Sequence, residues 1–265
     1  MRHLYLTLLV CFGLFGIAHA LNQERTHPSS KSIAIGQQQK EASNKTNSKV
    51  WRIMPVGDSL TEGSGASGPQ SYRGHLFNML KQNGYNVHFV GYRSKTTMVG
   101  GDPDHGAYGG YTIGPDDRSF CPGCGKANIY DNLDKILAYD TDVILLLIGI
   151  NDLLPSKHGY VAPTDAPKKL EQLVKTISQR KPNAKIIVSS MLKVGWTDTW
   201  PEYAALNAKA QEIGKRSGSD KIYFANLNNI NLKENEFTDK LHLTNDGAKK
   251  VAQGWYKALT PLIRK

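Results

Sequence analysis

The run Val143-Ile144-Leu145-Leu146-Leu147-Ile148 leads directly into Gly149-Ile150-Asn151-Asp152. It is apolar throughout, without the polar alternation of a strand that has one wet face, and so reads as a central parallel strand covered on both faces. A bilayer crossing takes about 20 residues, far more than this run offers, so it belongs in a core. Gly149 ends the strand, and Asn151 then falls at its carboxyl end.

The same alternation of apolar runs and helical-period stretches recurs to either side. Strands are predicted at Trp51-Val56, Val87-Val90, Lys185-Ser189 and Ile222-Asn226, and helices over residues 71–83, 129–138, 166–181, 202–217 and 245–260. A Gly-rich region from Gly91 to Gly125 reads as loop. Strands separated by helices imply right-handed crossovers and a three-layer α/β/α sandwich around a parallel sheet of about five strands. Ligands of such sheets bind at the carboxyl ends of the strands, so the residues that follow each strand carry the functional question.

Composition sets the bounds. A chain of 265 residues, 40 % hydrophobic and 21 % charged, is a globular protein of one or two domains, with no fibrous or coiled-coil character. The net charge of +10 is spread along the chain with acids between the bases, which gives no nucleic-acid stripe. Residues 1–20 run from Arg2 through the apolar Leu4 to Ala18 and end in Ala18-His19-Ala20, the pattern of a secretory signal peptide cleaved near Ala20, with a single membrane anchor as the rival reading. Cleavage implies a secreted or periplasmic product without stable membrane insertion. Residues 21–49 are polar and rich in Gln, Asn, Ser and Lys, a flexible linker that cannot bury enough apolar surface to fold alone. The catalytic-domain candidate is 50–265. Outside the leader two cysteines remain, and Cys121-Pro122-Gly123-Cys124 reads as a small disulfide clamping a loop, with a redox site as the alternative. A structural zinc would need two further ligands nearby, and there are none in the sequence.

Three strand ends carry chemistry. Gly57-Asp58-Ser59-Leu60-Thr61-Glu62-Gly63 presents a hydroxyl at a tight turn, although Ser and Asp there are also ordinary helix caps. Asn151 supplies an amide, and is equally a common turn residue. Asp239-Lys240-Leu241-His242 spaces a carboxylate three residues from an imidazole, close enough to fix its tautomer, yet by itself that pattern reads as surface loop. Together they offer a nucleophile, a donor and an oriented base for one pocket. Asp246 and Asp58 are rivals for the acid's role. His105 and His158 fall in predicted loops, either as surface residues or lining the pocket, and His75 and His88 are structural. Thr61 replaces the last glycine of a Gly-x-Ser-x-Gly elbow, which argues against the ordinary lipase fold.

Read together, Gly57-Asp58-Ser59-Leu60, the glycine of Gly109-Gly110-Tyr111, Gly149-Ile150-Asn151-Asp152 and Asp239-Lys240-Leu241-His242 resemble the four blocks of the GDSL or SGNH hydrolases, in that family's order. Ile53-Met54-Pro55-Val56 before the nucleophile, with Ser71-Tyr72-Arg73 and Gly110-Tyr111-Thr112-Ile113, look like carbohydrate esterase family three, which includes acetylxylan esterases. Ala107 departs from that pattern, which has glycine two residues before the pair. The resemblance implies a flavodoxin-like SGNH fold and a serine esterase with Ser59 as nucleophile, His242 as base and Asp239 as its orienting acid. It implies oxyanion donors from the backbone N–H of Ser59, the N–H of Gly110 and the Asn151 amide, with no metal or organic cofactor required. Asp58, Tyr108, Tyr111 and Trp196 are candidate substrate contacts, with Trp200 another rim aromatic. The expected substrate is an O-acetylated carbohydrate. Alternatives are a lipid or small acyl ester, or a non-catalytic glycan-binding protein on the same scaffold.

Overall fold

A computed structural model describes residues 49–64, 71–115, 127–154, 165–195, 200–216 and 221–265. The expected leader and nearly all of the polar linker lie outside these residues, as do Cys121, Cys124, His158 and Trp196. The described residues fall within one compact unit, Ser48–Lys265.

In chain order, β1 (Trp51–Gly57) is followed by the short α1 (Ser59–Glu62), α2 (Tyr72–Gln82), β2 (Val87–Phe89), β3 (Arg93–Ser94) and β4 (Asp104–Ala107). A 3-10 turn at Tyr130–Asn132 leads into α3 (Leu133–Ile136), β5 (Val143–Leu147), α4 (Ile150–Leu153), α5 (Ala166–Arg180) and β6 (Lys185–Ser189). Then come α6 (Pro201–Lys215), β7 (Ile222–Ala225) and α7 (Asn245–Leu259). The five predicted strands form the parallel succession β2, β1, β5, β6, β7, with β1 and β5 paired in register from Ile53↔Val143 to Gly57↔Leu147. Every residue of β5 is buried, the arrangement its unbroken apolar run calls for.

The sheet has seven strands rather than about five. β4 pairs in parallel with the last residues of β1, and β3 pairs antiparallel with β4, so part of the Gly-rich region read as loop is sheet. Its residues, Asp104-His105-Gly106-Ala107, lack the β-branched pattern of a strand. They pair because smallness fits there: a Cβ on Gly106 would lie 3.2 Å from both Ile136 and Val56.

Two helix pairs flank the sheet, α2 against α7 and α5 against α6. In α5 the buried Leu170, Leu173, Val174 and Ile177 recur at helical spacing, and in α7 Ala248, Val251, Ala252, Trp255 and Leu259 do the same. Each large side chain so buried contributes about 1.5–3 kcal/mol. Ser71 caps α2 through the Arg73 N–H, and Thr244 caps α7 through the Gly247 N–H. Tyr72 and Trp255 pack with ring centroids 5.8 Å apart, and His75 Nε2 meets Asn245 Oδ1 at 2.9 Å, which ties the start of the domain to its last helix.

Candidate active site

β1 ends where only glycine fits. A Cβ on Gly57 would sit 2.1 Å from the Leu147 carbonyl oxygen and 2.6 Å from Thr61 Oγ1. Asp58 then turns the chain in extended conformation and caps α1, its Oδ1 accepting the Leu60 N–H at 3.0 Å. Ser59 is thus the first helical residue, with a backbone N–H that precedes any intrahelical acceptor. Gly63, at φ 83°, closes the helix after a single turn.

The histidine comes from the loop before α7. Phe237 bridges Leu243, and the Thr238 N–H and hydroxyl both donate to the His242 carbonyl, at 2.7 and 3.1 Å. Inside this loop Asp239 Oδ1 accepts the N–H groups of Leu241 and His242, and Lys240 takes the left-handed conformation at φ 70°. The loop aims the imidazole two ways: Nδ1 lies 2.6 Å from Asp239 Oδ2 and Nε2 lies 2.9 Å from Ser59 Oγ. An ionised carboxylate can only accept, so a neutral His242 carries its proton on Nδ1 and leaves Nε2 to accept the Ser59 hydroxyl. Partial burial opposes ionisation of Asp239, but the hydrogen bonds from the His242 ring and from backbone N–H groups outweigh it and hold its carboxyl below the usual carboxylate range.

Glycine and asparagine arrive from the neighbouring strand ends. The Tyr108 N–H donates to the Gly57 carbonyl at 3.1 Å, bringing the Gly109-Gly110 turn against the start of α1. The Asn151 amide donates one hydrogen to the Tyr111 carbonyl at 2.8 Å, and Asp152 Oδ2 accepts the Ile113 N–H at 3.0 Å, so α4 pins the segment that follows the glycines. Gly149, at φ 127°, makes the turn from β5 into α4. The β1–β5 register sets Ser59 and Asn151 on one rim of the sheet.

Residues 56–250 match the model of the GDSL-like lipase/acylhydrolase family. The chain belongs to that family. This GDSL hydrolase is 31 % identical to a solved family 3 carbohydrate esterase from Clostridium thermocellum, with a TM-score of 0.64 over 81 % of this chain and 97 % of that one. A family 3 carbohydrate esterase from Talaromyces cellulolyticus, at 17 % identity and TM-score 0.62 over 80 % of this chain and 98 % of that one, shows the shared fold. A multidomain esterase from Ruminococcus flavefaciens is 27 % identical over 234 residues, 80 % of this chain, and this chain spans 29 % of that relative's length.

Several site residues of this GDSL hydrolase sit differently from expectation. Asp58, expected at the rim, is fully buried beside Ser59, its Oδ2 has no hydrogen-bond partner among the described residues, and burial, reinforced by the charge of Asp152, pushes its carboxyl up to about 7. His105 is neither a surface residue nor in a loop. It lies inside β4, fully buried, with Nδ1 accepting the Ala107 N–H, and burial followed by nearby Arg73, Arg93 and Lys95 pushes it down to about 3, so the ring is neutral. Tyr111 is mostly buried and Tyr108 half-buried, their rings stacked at 4.9 Å and 19°. Trp200 is half-buried, packed on the core just before α6. Asp246 is an exposed residue in the first turn of α7, whereas Asp239 makes the contact to the imidazole. Among the described residues no group of three or more His, Cys, Asp or Glu is placed to hold a metal ion.

Glu62, Arg73 and Arg93 escaped the sequence reading. Arg73, fully buried, donates to the carbonyls of Thr61, Glu62, Lys95 and Pro103 at 2.9–3.1 Å and so holds the end of α1 against the β3–β4 region. Its guanidinium, brought down to about 10 by burial, stays charged at neutral pH. The one signal in the sequence was its place in Ser71-Tyr72-Arg73.

Proposed function

We propose that this GDSL hydrolase is a secreted serine esterase that removes O-acetyl groups from carbohydrate. The observation that carries the reading is the unbroken line Asp239–His242–Ser59, at 2.6 and 2.9 Å. Ser59 Oγ attacks the ester carbonyl as His242 Nε2 takes its proton, and the resulting imidazolium is steadied by Asp239. The tetrahedral oxyanion is met by the N–H of Ser59, the N–H of Gly110 and the second hydrogen of the Asn151 amide, each worth about 3 kcal/mol of barrier. His242 then protonates the departing alcohol, and a water activated by the same ring releases the acid and restores Ser59.

Likeness to a family 3 carbohydrate esterase over most of both chains supports an acylated sugar as substrate. The segment 1–20 supports export. The test is acetate release from acetylated xylan and from acetylated peptidoglycan, alongside p-nitrophenyl esters of increasing chain length, by the wild-type protein and by Ser59→Ala. We expect acetyl glycans and short esters to be preferred, and Ser59→Ala to lower kcat by roughly 10⁴ or more. Equal rates from both proteins overturn the serine-esterase reading; a preference for long acyl chains replaces the carbohydrate substrate with a lipid.

A further inference from the structure

Glu62 stands one helical turn after Ser59, at the end of α1, and is an acidic residue that the mechanism above does not use. It is 7 % exposed. A carboxylate so placed is unfavourable unless paired, and this one is paired on both oxygens. Oε1 lies 3.0 Å from Arg93 Nη2 and 3.9 Å from Lys95 Nζ. Oε2 accepts the Ser64 hydroxyl at 3.2 Å and the backbone N–H of Gly109 at 2.6 Å.

The last bond matters because of where Gly109 lies. A Cβ built on it would sit 3.0 Å from Glu62 Oε2 and 3.8 Å from Ser59 Cβ, so the glycine turn presses against both the acid and the nucleophile. The turn holds two successive N–H groups. Glu62 engages that of Gly109, while the N–H of Gly110, a residue at φ 80°, has no protein acceptor among the described residues. The partner charge extends the same brace: the Arg93 guanidinium lies 4.2 Å over the Tyr108 ring, which is the residue entering the turn.

We propose that Glu62 is a positioning residue that holds the Gly109-Gly110 turn so that the Gly110 N–H, rather than that of Gly109, points at the developing oxyanion. Ser59 and Glu62 share one four-residue helix, so the nucleophile and the holder of its second donor move as a unit. This rests on the serine-esterase reading, with Gly110 as donor.

Wild type and Ser59→Ala come first, with p-nitrophenyl acetate; equal rates overturn the reading and this proposal with it, and activity confined to wild type isolates the question of Glu62. Three variants then separate its possible roles. Glu62→Gln keeps an acceptor for Gly109, Glu62→Asp keeps the charge but is too short to reach it, and Glu62→Ala removes both. We expect kcat to stay within about fivefold for Gln and to fall about 100-fold for Asp and Ala, with KM within about twofold throughout. Affinity for a boronic acid that forms a tetrahedral adduct on Ser59 should fall in step with kcat. Glu62→Asp with wild-type kcat overturns the proposal. So does a loss that appears in KM, or equal losses in all three variants that follow a fall in Tm.

Discussion

Asp239 performs two tasks with its two oxygens: Oδ1 closes the turn through two backbone N–H groups, and Oδ2 receives the His242 Nδ1–H. Asp239→Asn can keep the first task, since its side-chain oxygen still accepts, but it then presents an amide hydrogen to Nδ1 and favours the wrong tautomer. We expect its melting temperature to stay close to wild type while kcat on p-nitrophenyl acetate falls by roughly 10³–10⁴; a fall of less than about tenfold would mean that His242 is oriented by the turn alone. The placement of Ser59 beside His242, with Asn151 on the same rim, was legible in the sequence because each is a chemistry-bearing residue just past a strand or before a helix. Glu62 was not, because a glutamate in a four-residue helix looks like any solvated one until the strand beside it supplies Gly109. Asp58 was legible as part of the turn, but its depth was not: whether a carboxylate faces water or the core is decided by what packs over it.

The short helix α1 has too few internal hydrogen bonds to stand unaided. Its final carbonyls are held from outside, that of Thr61 by the Ser71 hydroxyl and Arg73 Nε, and that of Glu62 by Arg73 Nη2. A lysine is charged as well, but it cannot fork to four carbonyls on three segments. Arg73→Lys should therefore destabilise the protein by about 2–4 kcal/mol in urea unfolding, because buried carbonyls lose their donors. A loss below about 0.5 kcal/mol would show that water takes over the guanidinium's place. The five main strands and the helices α2, α5, α6 and α7 could be read from apolar periodicity, since burial dictated it in each. The helix expected over 129–138 is instead a 3-10 turn followed by the four-residue α3, and the single-turn α1 and α4 left no periodic signal. The β3–β4 hairpin could not be read that way, because Gly106 enters the sheet for its small size, a requirement set by its partner Val56 on β1 and by Ile136 rather than by any local pattern.

Stability of the entire fold should carry the mark of Asp58. Its carboxyl keeps a proton up to about 7 in the folded chain and releases it near 3.8 when unfolded. Between those values the folded state binds more protons, so its contribution to stability is present at low pH and is lost as pH rises through 7. Asp239, Asp142 and Glu236, whose carboxyls are held below their ordinary range, act in the opposite sense and at lower pH. Asp58→Asn should remove the decline, gaining roughly 1–3 kcal/mol over wild type at pH 8 relative to pH 5 in urea titrations; parallel pH profiles for the two proteins would rule this out.

Ser59 and His242, the proposed nucleophile and base, are 183 residues apart along the chain, and they meet because α7 docks on α2 through Tyr72, Trp255 and the His75–Asn245 contact. During synthesis, then, the ribosome releases the serine long before the imidazole that arms it. On the serine-esterase reading, a polypeptide that stops before His242 has no base and should be silent, and hydrolysis should begin only once α7 has docked on α2. Enzymatic output thereby doubles as a readout of completed folding, one that a split-protein assay joining the two halves in trans can exploit.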